Sequence, residues 1–210
     1  MPFPTTCPPD FHYSSSSSPT YLTSLDRSST TQEILIGTGA TALTLGLFPH
    51  LVSQGFYRSV SSTGIFLYLG AGVGLPIVED GKEGMQHSLR AVDALIITGA
   101  FTEGLKFITQ ERRPTTSSRD SFPSGHASSA FCIATIQSAY HPRQASLWFG
   151  GAALIAASRL SLRRHYVQDV LVGAGLGYLT ARWELSRTKG LLLTPWIHQD
   201  GVGLALKSEF

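Results

Sequence analysis

Cysteine is nearly absent from this 210-residue chain, which has two: Cys7 in a polar segment and Cys132 inside an apolar run. Two thiols so placed leave no disulfide framework and no cysteine-based metal spacing, and Cys132 reads as a small packed hydrophobe. Charge is sparse too. Charged residues make up 14% of the chain and the formal net charge is +2. No basic stripe interleaved with aromatics occurs, which points away from nucleic acid as a partner. A basic start running directly into an apolar stretch is also missing, so the beginning of the chain does not read as a secretory signal. Gly37-Thr-Gly39-Ala resembles a dinucleotide loop only faintly, and without a preceding strand it reads as a small-residue helix surface.

What is present divides into three parts. Residues 1–32, rich in Pro, Ser and Thr with five serines from Ser14 to Ser18, bury too little apolar surface to order themselves and are expected to be a disordered tail. Residues 33–190 hold six apolar runs: Ile34–Ser53, Thr63–Val78, Leu89–Phe107, Ala127–Tyr140, Ala145–Leu160 and Val167–Ala181. Residues 191–210 form a C-terminal extension in which Asp200–Leu206 alternates like a short strand, with no function assigned. The expected fold class is all-α, a bundle of about six helices with a site at one end. Several runs fall short of the roughly twenty residues that span a bilayer, and Asp93 and Glu103 interrupt one of them. Two readings of the bundle stay open, one transmembrane with its polar residues facing inward and one soluble. Gly70/Gly74 and Gly173/Gly177 both have the four-residue spacing that lets helices approach closely. Trp183 and Trp196 suit either interfacial anchors or packing against loops.

Three short segments carry the chemistry. The first, Lys106–Pro114, places a lysine before an Arg113-Pro114 pair; the second is Pro123-Ser124-Gly125-His126; the third, Ser158–Asp169, contains Arg159, His165 and Asp169. Arginine can bond two phosphate oxygens with its planar fork while lysine supplies a compact point charge, so Lys106, Arg113 and Arg159 form a natural oxyanion clamp. Ser124 is placed to cap a helix starting near Ala127, whose free N–H groups would face an anion, and Gly125 permits close backbone approach. His165 and Asp169, four apart, would share a helix face, letting the carboxylate fix the imidazole tautomer and leave the other nitrogen free to attack. His126 is then the candidate acid for the leaving oxygen and base for water. Taken singly, each of these residues has an ordinary structural reading, a packed histidine or a solvated basic loop. Their ordered joint occurrence favours one site for phosphoryl transfer.

These segments resemble, without a substitution or a spacing error, the three signature motifs of the type-2 phosphatidic acid phosphatase and vanadium haloperoxidase superfamily. The likeness spans roughly Ala91–Arg182. It implies a metal-independent phosphatase, a phosphoric monoester hydrolase acting on a phosphomonoester or terminal pyrophosphate of a phosphorylated lipid or small ester. His165 would attack phosphorus, Asp169 orient it and His126 protonate the departing group, with Lys106, Arg113, Ser124, Gly125 and Arg159 on the equatorial oxygens. No cofactor is implied in this branch. Vanadate would be an inhibitor here and a cofactor in the alternative haloperoxidase reading, which the short chain disfavours. A non-catalytic binder of phospholipid headgroups is the alternative outside enzymes, and a His–Asp pair counts against it.

The motifs fit the bundle: Lys106 ends the third run, His126 opens the fourth, Arg159 ends the fifth and His165 precedes the sixth. All should therefore gather at one end. The other end would carry Arg27, Lys82, Arg90, Arg143, Arg182, Arg187 and Lys189, against Arg58, Arg112, Arg119, Arg163 and Arg164 beside the site. That slight excess of cations leans towards an integral membrane protein with its site on the periplasmic or outer face, the alternative being a soluble periplasmic protein.

Overall fold

The computed structural model describes residues 53–187 and the strands 193–198 and 201–206. The expected tail and all but the last residue of the first apolar run lie outside the described residues. The remaining five runs are all helical. Helix α1 (Gln54–Ser59) continues through a π-helical turn (Val60–Gly64) into α2 (Ile65–Glu79), and then come α3 (Gly84–Thr109), α4 (Gly125–Tyr140), α5 (Ala145–Ser161) and α6 (Val167–Ser186). Beyond them β1 (Leu193–His198) and β2 (Gly201–Leu206) pair antiparallel, from Leu193 opposite Leu206 to His198 opposite Gly201. The strand expected at the C-terminus is there. Its partner β1, whose sequence does not alternate, was not anticipated, so a hairpin accompanies the helical domain.

The first rod begins nine residues before the expected Thr63. Ser53 caps it, its Oγ accepting the Phe56 N–H at 3.3 Å. Residues 54–62 fall outside the apolar runs, but serine hydroxyls there bond back into the helix, Ser59 Oγ to the Gly55 carbonyl at 3.2 Å and Ser62 Oγ to that of Arg58 at 2.8 Å. Helical geometry thus survives there as a π turn, a local unwinding that rotates side chains relative to a regular helix. Ser61 is buried as a result.

Pro76 lies within α2 and lacks the N–H that would bond the Gly72 carbonyl. That carbonyl instead accepts Gln137 Nε2 from α4 at 2.5 Å. The proline's missing donor thereby becomes an interhelical tie. A second tie runs from Tyr68 on α2, whose hydroxyl donates to the Trp148 carbonyl on α5 at 2.7 Å.

Helix α4 is the centre of the bundle, packing against α2, α3, α5 and α6. It is buried on nearly every face from Ala130 to Ser138, as expected of a helix with no water-facing stripe. Its neighbours turn small and polar residues inward. On α3 the buried positions are Gly84, Ser88, Ala91, Asp93, Ala94, Thr98 and Thr102, while Met85, Ile96, Phe101, Phe107 and Ile108 are exposed. Phe66 and Val78 on α2 are 75% and 82% exposed. Small inward and large apolar outward is the pattern of helices whose outer solvent is lipid. Among the described residues one helix, Gln54–Glu79, is long and apolar enough to cross a membrane.

Helix α6 crosses α4 over two glycines. A Cβ at Gly173 would stand 2.6 Å from the Ser124 carbonyl oxygen, and one at Gly177 would overlap that of Ser128. Gly70 and Gly74 share the same spacing but meet nothing within 4 Å. Of the two expected glycine pairs only the second is a contact. At the far end of the bundle His87 Nδ1 and His141 Nε2 both address Asp80 Oδ2, at 2.6 and 3.4 Å, tying the α2–α3 turn to the end of α4. We expect Gly177→Ala to lower stability by about 2 kcal/mol or more, since overpacking here meets backbone. Gly70→Ala should be neutral or stabilise by up to about 1 kcal/mol through helix propensity. Unfolding of both variants in detergent measures the contrast, and equal effects would refute the packing assignment.

Candidate active site

Three cations converge on one end of the bundle. Helix α3 stops where Gln110 adopts a left-handed conformation, φ 47°, its N–H bonding the Lys106 carbonyl at 3.0 Å. Lys106 thus sits in the last turn, where the helix dipole favours a cation. Its Nζ bonds Glu103 Oε1 at 2.6 Å and lies 3.5 Å from where a Cβ on Gly125 would stand. Lacking that Cβ, Gly125 keeps the start of α4 open beside the ammonium. Arg113, in the loop after α3, forks onto Asp120 with Nε and Nη2 at 2.8 and 2.7 Å. That bidentate pair holds the Asp120 carboxyl below its ordinary range. Arg159, buried in the last turn of α5, donates from Nη1 to Ser61 Oγ, while its Nε is buried without a partner.

The α5–α6 connection delivers His165. Arg163 takes φ 50°, its N–H bonding the Leu160 carbonyl and that of Arg164 the Arg159 carbonyl, both at 2.9 Å. These are the paired bonds of a Schellman ending, with arginine where glycine is usual. The chain turns at once into His165, which precedes the helix; α6 starts at Val167. His165 and Asp169 therefore do not share a helix face, contrary to the expectation from their spacing. Asp169 occupies the third helical position and folds back, Oδ2 accepting the Tyr166 N–H at 2.9 Å. Acidic residues suit this position because the first N–H groups of a helix lack partners.

His165 Nδ1 bonds the Ser121 carbonyl at 2.8 Å and lies 3.5 Å from Asp169 Oδ2. A carbonyl can only accept, so Nδ1 carries the proton and Nε2 holds the lone pair when the ring is neutral. The direct partner is thus a carbonyl, with the carboxylate behind it. Ser121 joins the two, its Oγ donating to Asp169 Oδ2 at 2.5 Å. Burial, followed by the nearby charge of Arg159, pushes the His165 pKa down to about 4.

Ser124 is the N-cap residue of α4, as expected, but its hydroxyl caps nothing: Oγ is buried with no hydrogen bond. Its N–H donates to the Asp169 carbonyl at 2.9 Å, joining the starts of α4 and α6. His126, in the first turn, places Nε2 3.0 Å from the Ser61 carbonyl. Nε2 is the protonated nitrogen by the same reasoning, which leaves Nδ1 to exchange a proton.

All eight sequence-selected residues therefore lie on segments that meet at one end. Ser61 and Ser121 were missed. Ser61 anchors both Arg159 and His126 from a separate rod, and no motif marks its sequence neighbourhood. Ser121 lies just ahead of the second motif, and its role depends on the fold bringing Asp169 to it. Among the described residues no group of three or more His, Cys, Asp or Glu side chains could hold a metal ion.

The His165 environment has a measurable consequence. An unfolded chain takes up this proton near the ordinary 6.5, whereas the folded protein resists it until about 4. The contribution to stability is therefore complete above about 6.5 and falls away as pH drops towards 4. Ring-carbon NMR titration should show His165 neutral at pH 5.5 in the free protein, and a midpoint near 6.5 would contradict the buried, cation-flanked geometry.

A model of the PAP2 superfamily matches residues 88–190, a stretch containing all eight residues. Among solved structures, LpxE of Aquifex aeolicus is 23% identical, with TM-score 0.48, covering 63% of this chain and 94% of that one. A structure described as the first transmembrane PAP2-type phosphatidylglycerolphosphate phosphatase, from Bacillus subtilis, is 21% identical, with TM-score 0.45, covering 79% and 88%. The stretch that encloses all three motifs therefore matches the PAP2 superfamily.

Proposed function

We propose that this PAP2-superfamily phosphatase hydrolyses a phosphate ester, a lipid phosphate above all, through a phosphohistidine formed at His165. The observation that carries this reading is the anchoring of His165. Its Nδ1–H is fixed by the Ser121 carbonyl and Asp169, so Nε2 is the nucleophilic atom of a neutral ring. Nε2 attacks phosphorus, forming the P–N bond as the P–O bond to the leaving group breaks. Burial and Arg159 hold the His126 pKa down to about 4 in the free protein, so it takes up a proton on Nδ1 once the phosphate's negative charge is bound beside it, and gives that proton to the leaving oxygen. Water then attacks the phosphohistidine, His126 recovers a proton, and inorganic phosphate departs with the P–N bond broken. The charge spread over the equatorial oxygens meets Lys106, Arg113, Arg159, the Ser124 hydroxyl and the N–H groups at the start of α4. The unpartnered Ser124 Oγ and Arg159 Nε support this assignment, since both are buried donors awaiting an acceptor.

A lipid substrate is favoured by the outward apolar faces of α2 and α3, which suit a membrane protein whose site lies near the bilayer surface. The outer or periplasmic side is favoured by the distribution of cations between the two ends. Phosphate release from a lipid phosphate by detergent-solubilised protein should persist in chelator. His165→Ala should reduce it by about 10³-fold or more, with loss of an acid-labile phosphoenzyme. Substantial residual turnover in that variant would overturn the mechanism. His126→Ala should cost roughly 10²–10⁴-fold on alkyl phosphates and much less on a phenolic ester, which needs little protonation to leave. Equal losses on the two would remove His126 from the acid role.

A further inference from the structure

The rod formed by α1, the π turn and α2 lies wholly before residue 88, where the match to the PAP2 superfamily begins, and no motif falls on it. Its outward residues are largely apolar, Phe66, Leu67 and Val78 among them, and its buried positions are few: Tyr57, Ser61, Ile65, Gly72 and Pro76. A polar residue buried on such a rod needs partners. Ser61 finds two, and both belong to the site. Its Oγ accepts from Arg159 Nη1 on α5, and its carbonyl accepts from His126 Nε2 on α4 at 3.0 Å. Three elements far apart in the chain therefore meet at one serine.

Neither site residue has another hold. Among the described residues Ser61 Oγ is the one hydrogen-bond partner of the Arg159 guanidinium, whose Nε stays unbonded, and the Ser61 carbonyl is the one partner of the His126 ring. An arginine side chain has many rotamers, so anchoring one nitrogen decides where the rest of the fork points. An acceptor at His126 Nε2 likewise keeps the proton there and leaves Nδ1 to exchange. Lys106 and Arg113 differ, because each is held by a carboxylate of its own neighbourhood, Glu103 and Asp120. The other serines of the turn differ as well. Ser59 and Ser62 are exposed and bond carbonyls of their own helix.

We propose that Ser61 is a positioning residue of the reaction, its hydroxyl aiming Arg159 at the equatorial oxygens and its carbonyl fixing the tautomer of His126. The inference rests on the phosphatase reading and adds to it a residue outside the matched stretch. The rod that borders the lipid thereby takes part in aligning one clamp cation and the acid, while Ser61 itself touches no reacting atom.

The test uses phosphatidic acid, an alkyl ester, and p-nitrophenyl phosphate, a phenolic one, with detergent-solubilised protein. Ser61→Ala keeps the carbonyl and removes the hydroxyl, so kcat/KM should fall by about tenfold, the loss of one hydrogen bond to a charged group. The fall should be the same on both esters, because His126 keeps its anchor; a loss confined to the alkyl ester would overturn the assignment to Arg159. Ser61→Thr, which keeps a hydroxyl, should restore activity to within about threefold of wild type. Ser62→Ala disturbs the same turn without touching Arg159 and should stay within about twofold, whereas an equal loss in Ser62→Ala and Ser61→Ala would reduce Ser61 to a stabiliser of the rod. In an Arg159→Gln background Ser61→Ala should cost less than about twofold, since contacting residues are not additive. A full tenfold there would also refute the proposal. Ring-nitrogen NMR should find His126 protonated on Nε2 in wild type and in Ser61→Ala, and the opposite tautomer would remove the carbonyl anchor. If wild type releases phosphate from neither ester, the phosphatase reading fails separately. Thermal stabilisation by inorganic phosphate then decides the role of Ser61. The concentration giving half the effect should rise about tenfold in Ser61→Ala and recover in Ser61→Thr; an unchanged value, or no stabilisation of wild type, refutes it.

Discussion

A single hydrogen bond, from the Ser124 N–H to the Asp169 carbonyl at 2.9 Å, sets the geometry on which the site depends. It joins the first turns of α4 and α6, the helices that carry the second and third motifs. The bond forms only because α6 presents Gly173 to Ser124 and Gly177 to Ser128, leaving no Cβ between the two backbones. With the helix starts so joined, Asp169 reaches Ser121, and Ser121 in turn holds His165. Close packing deep in the bundle is thereby converted into the orientation of one imidazole ring. A helix pair kept apart by ordinary side chains would separate the motifs, however well each was preserved locally.

The same economy governs the polar groups inside. Helices whose outer faces are apolar must satisfy buried polar atoms among themselves, and most are so satisfied: Thr98 with Thr180 at 2.6 Å, Thr102 with Ser128 at 2.9 Å, Gln137 with the carbonyl that Pro76 leaves free. Among the described residues six buried side-chain atoms stand without partners: Gln137 Oε1, Ser138 Oγ and Glu184 Oε1 away from the site, and Ser124 Oγ, Arg159 Nε and Asp169 Oδ1 at the site end. Leaving a buried donor unmade costs roughly 1–3 kcal/mol. At the site end Ser124 Oγ and Arg159 Nε are both donors, which a bound anion would satisfy.

Much of this arrangement was legible in the sequence, for reasons that differ by residue. Lys106, Arg159, His126 and His165 could be placed at one end because each sits beside the boundary of an apolar run, and run boundaries are visible without a structure. The relation of His165 to Asp169 was misjudged, because a four-residue spacing fits a helical face and a helix start equally well. Only the left-handed turn at Arg163, which delays α6 to Val167, separates the two. The glycine pairs show the same limit: Gly70/Gly74 and Gly173/Gly177 are identical in pattern, and what distinguishes them is the helix opposite. Ser61 was beyond reach because its partners lie 65 and 98 residues away and it falls outside the apolar runs. The π turn that buries it is sustained by hydroxyl-to-carbonyl bonds that no hydrophobic period reveals.

The cations of the site fall into two classes, and the difference follows from their surroundings. Lys106 and Arg113 lean on Glu103 and Asp120, carboxylates that are exposed and half-buried respectively, whereas Arg159 is buried against the hydroxyl of Ser61. A carboxylate resembles a phosphate in charge and in the planar pair of oxygens it offers to a guanidinium. Glu103 therefore holds the Lys106 ammonium by one bond and Asp120 holds the Arg113 fork by two, so an anion arriving there would compete for donors already positioned. Because such pairs near solvent are worth little, of the order of 0–1 kcal/mol, that competition is inexpensive. Arg159 has no such stand-in. Its anchoring by a neutral hydroxyl leaves its full charge directed at the site, where it adds to the burial that keeps His165 unprotonated. The division of labour among the three cations thus follows from which of them the fold leaves near water.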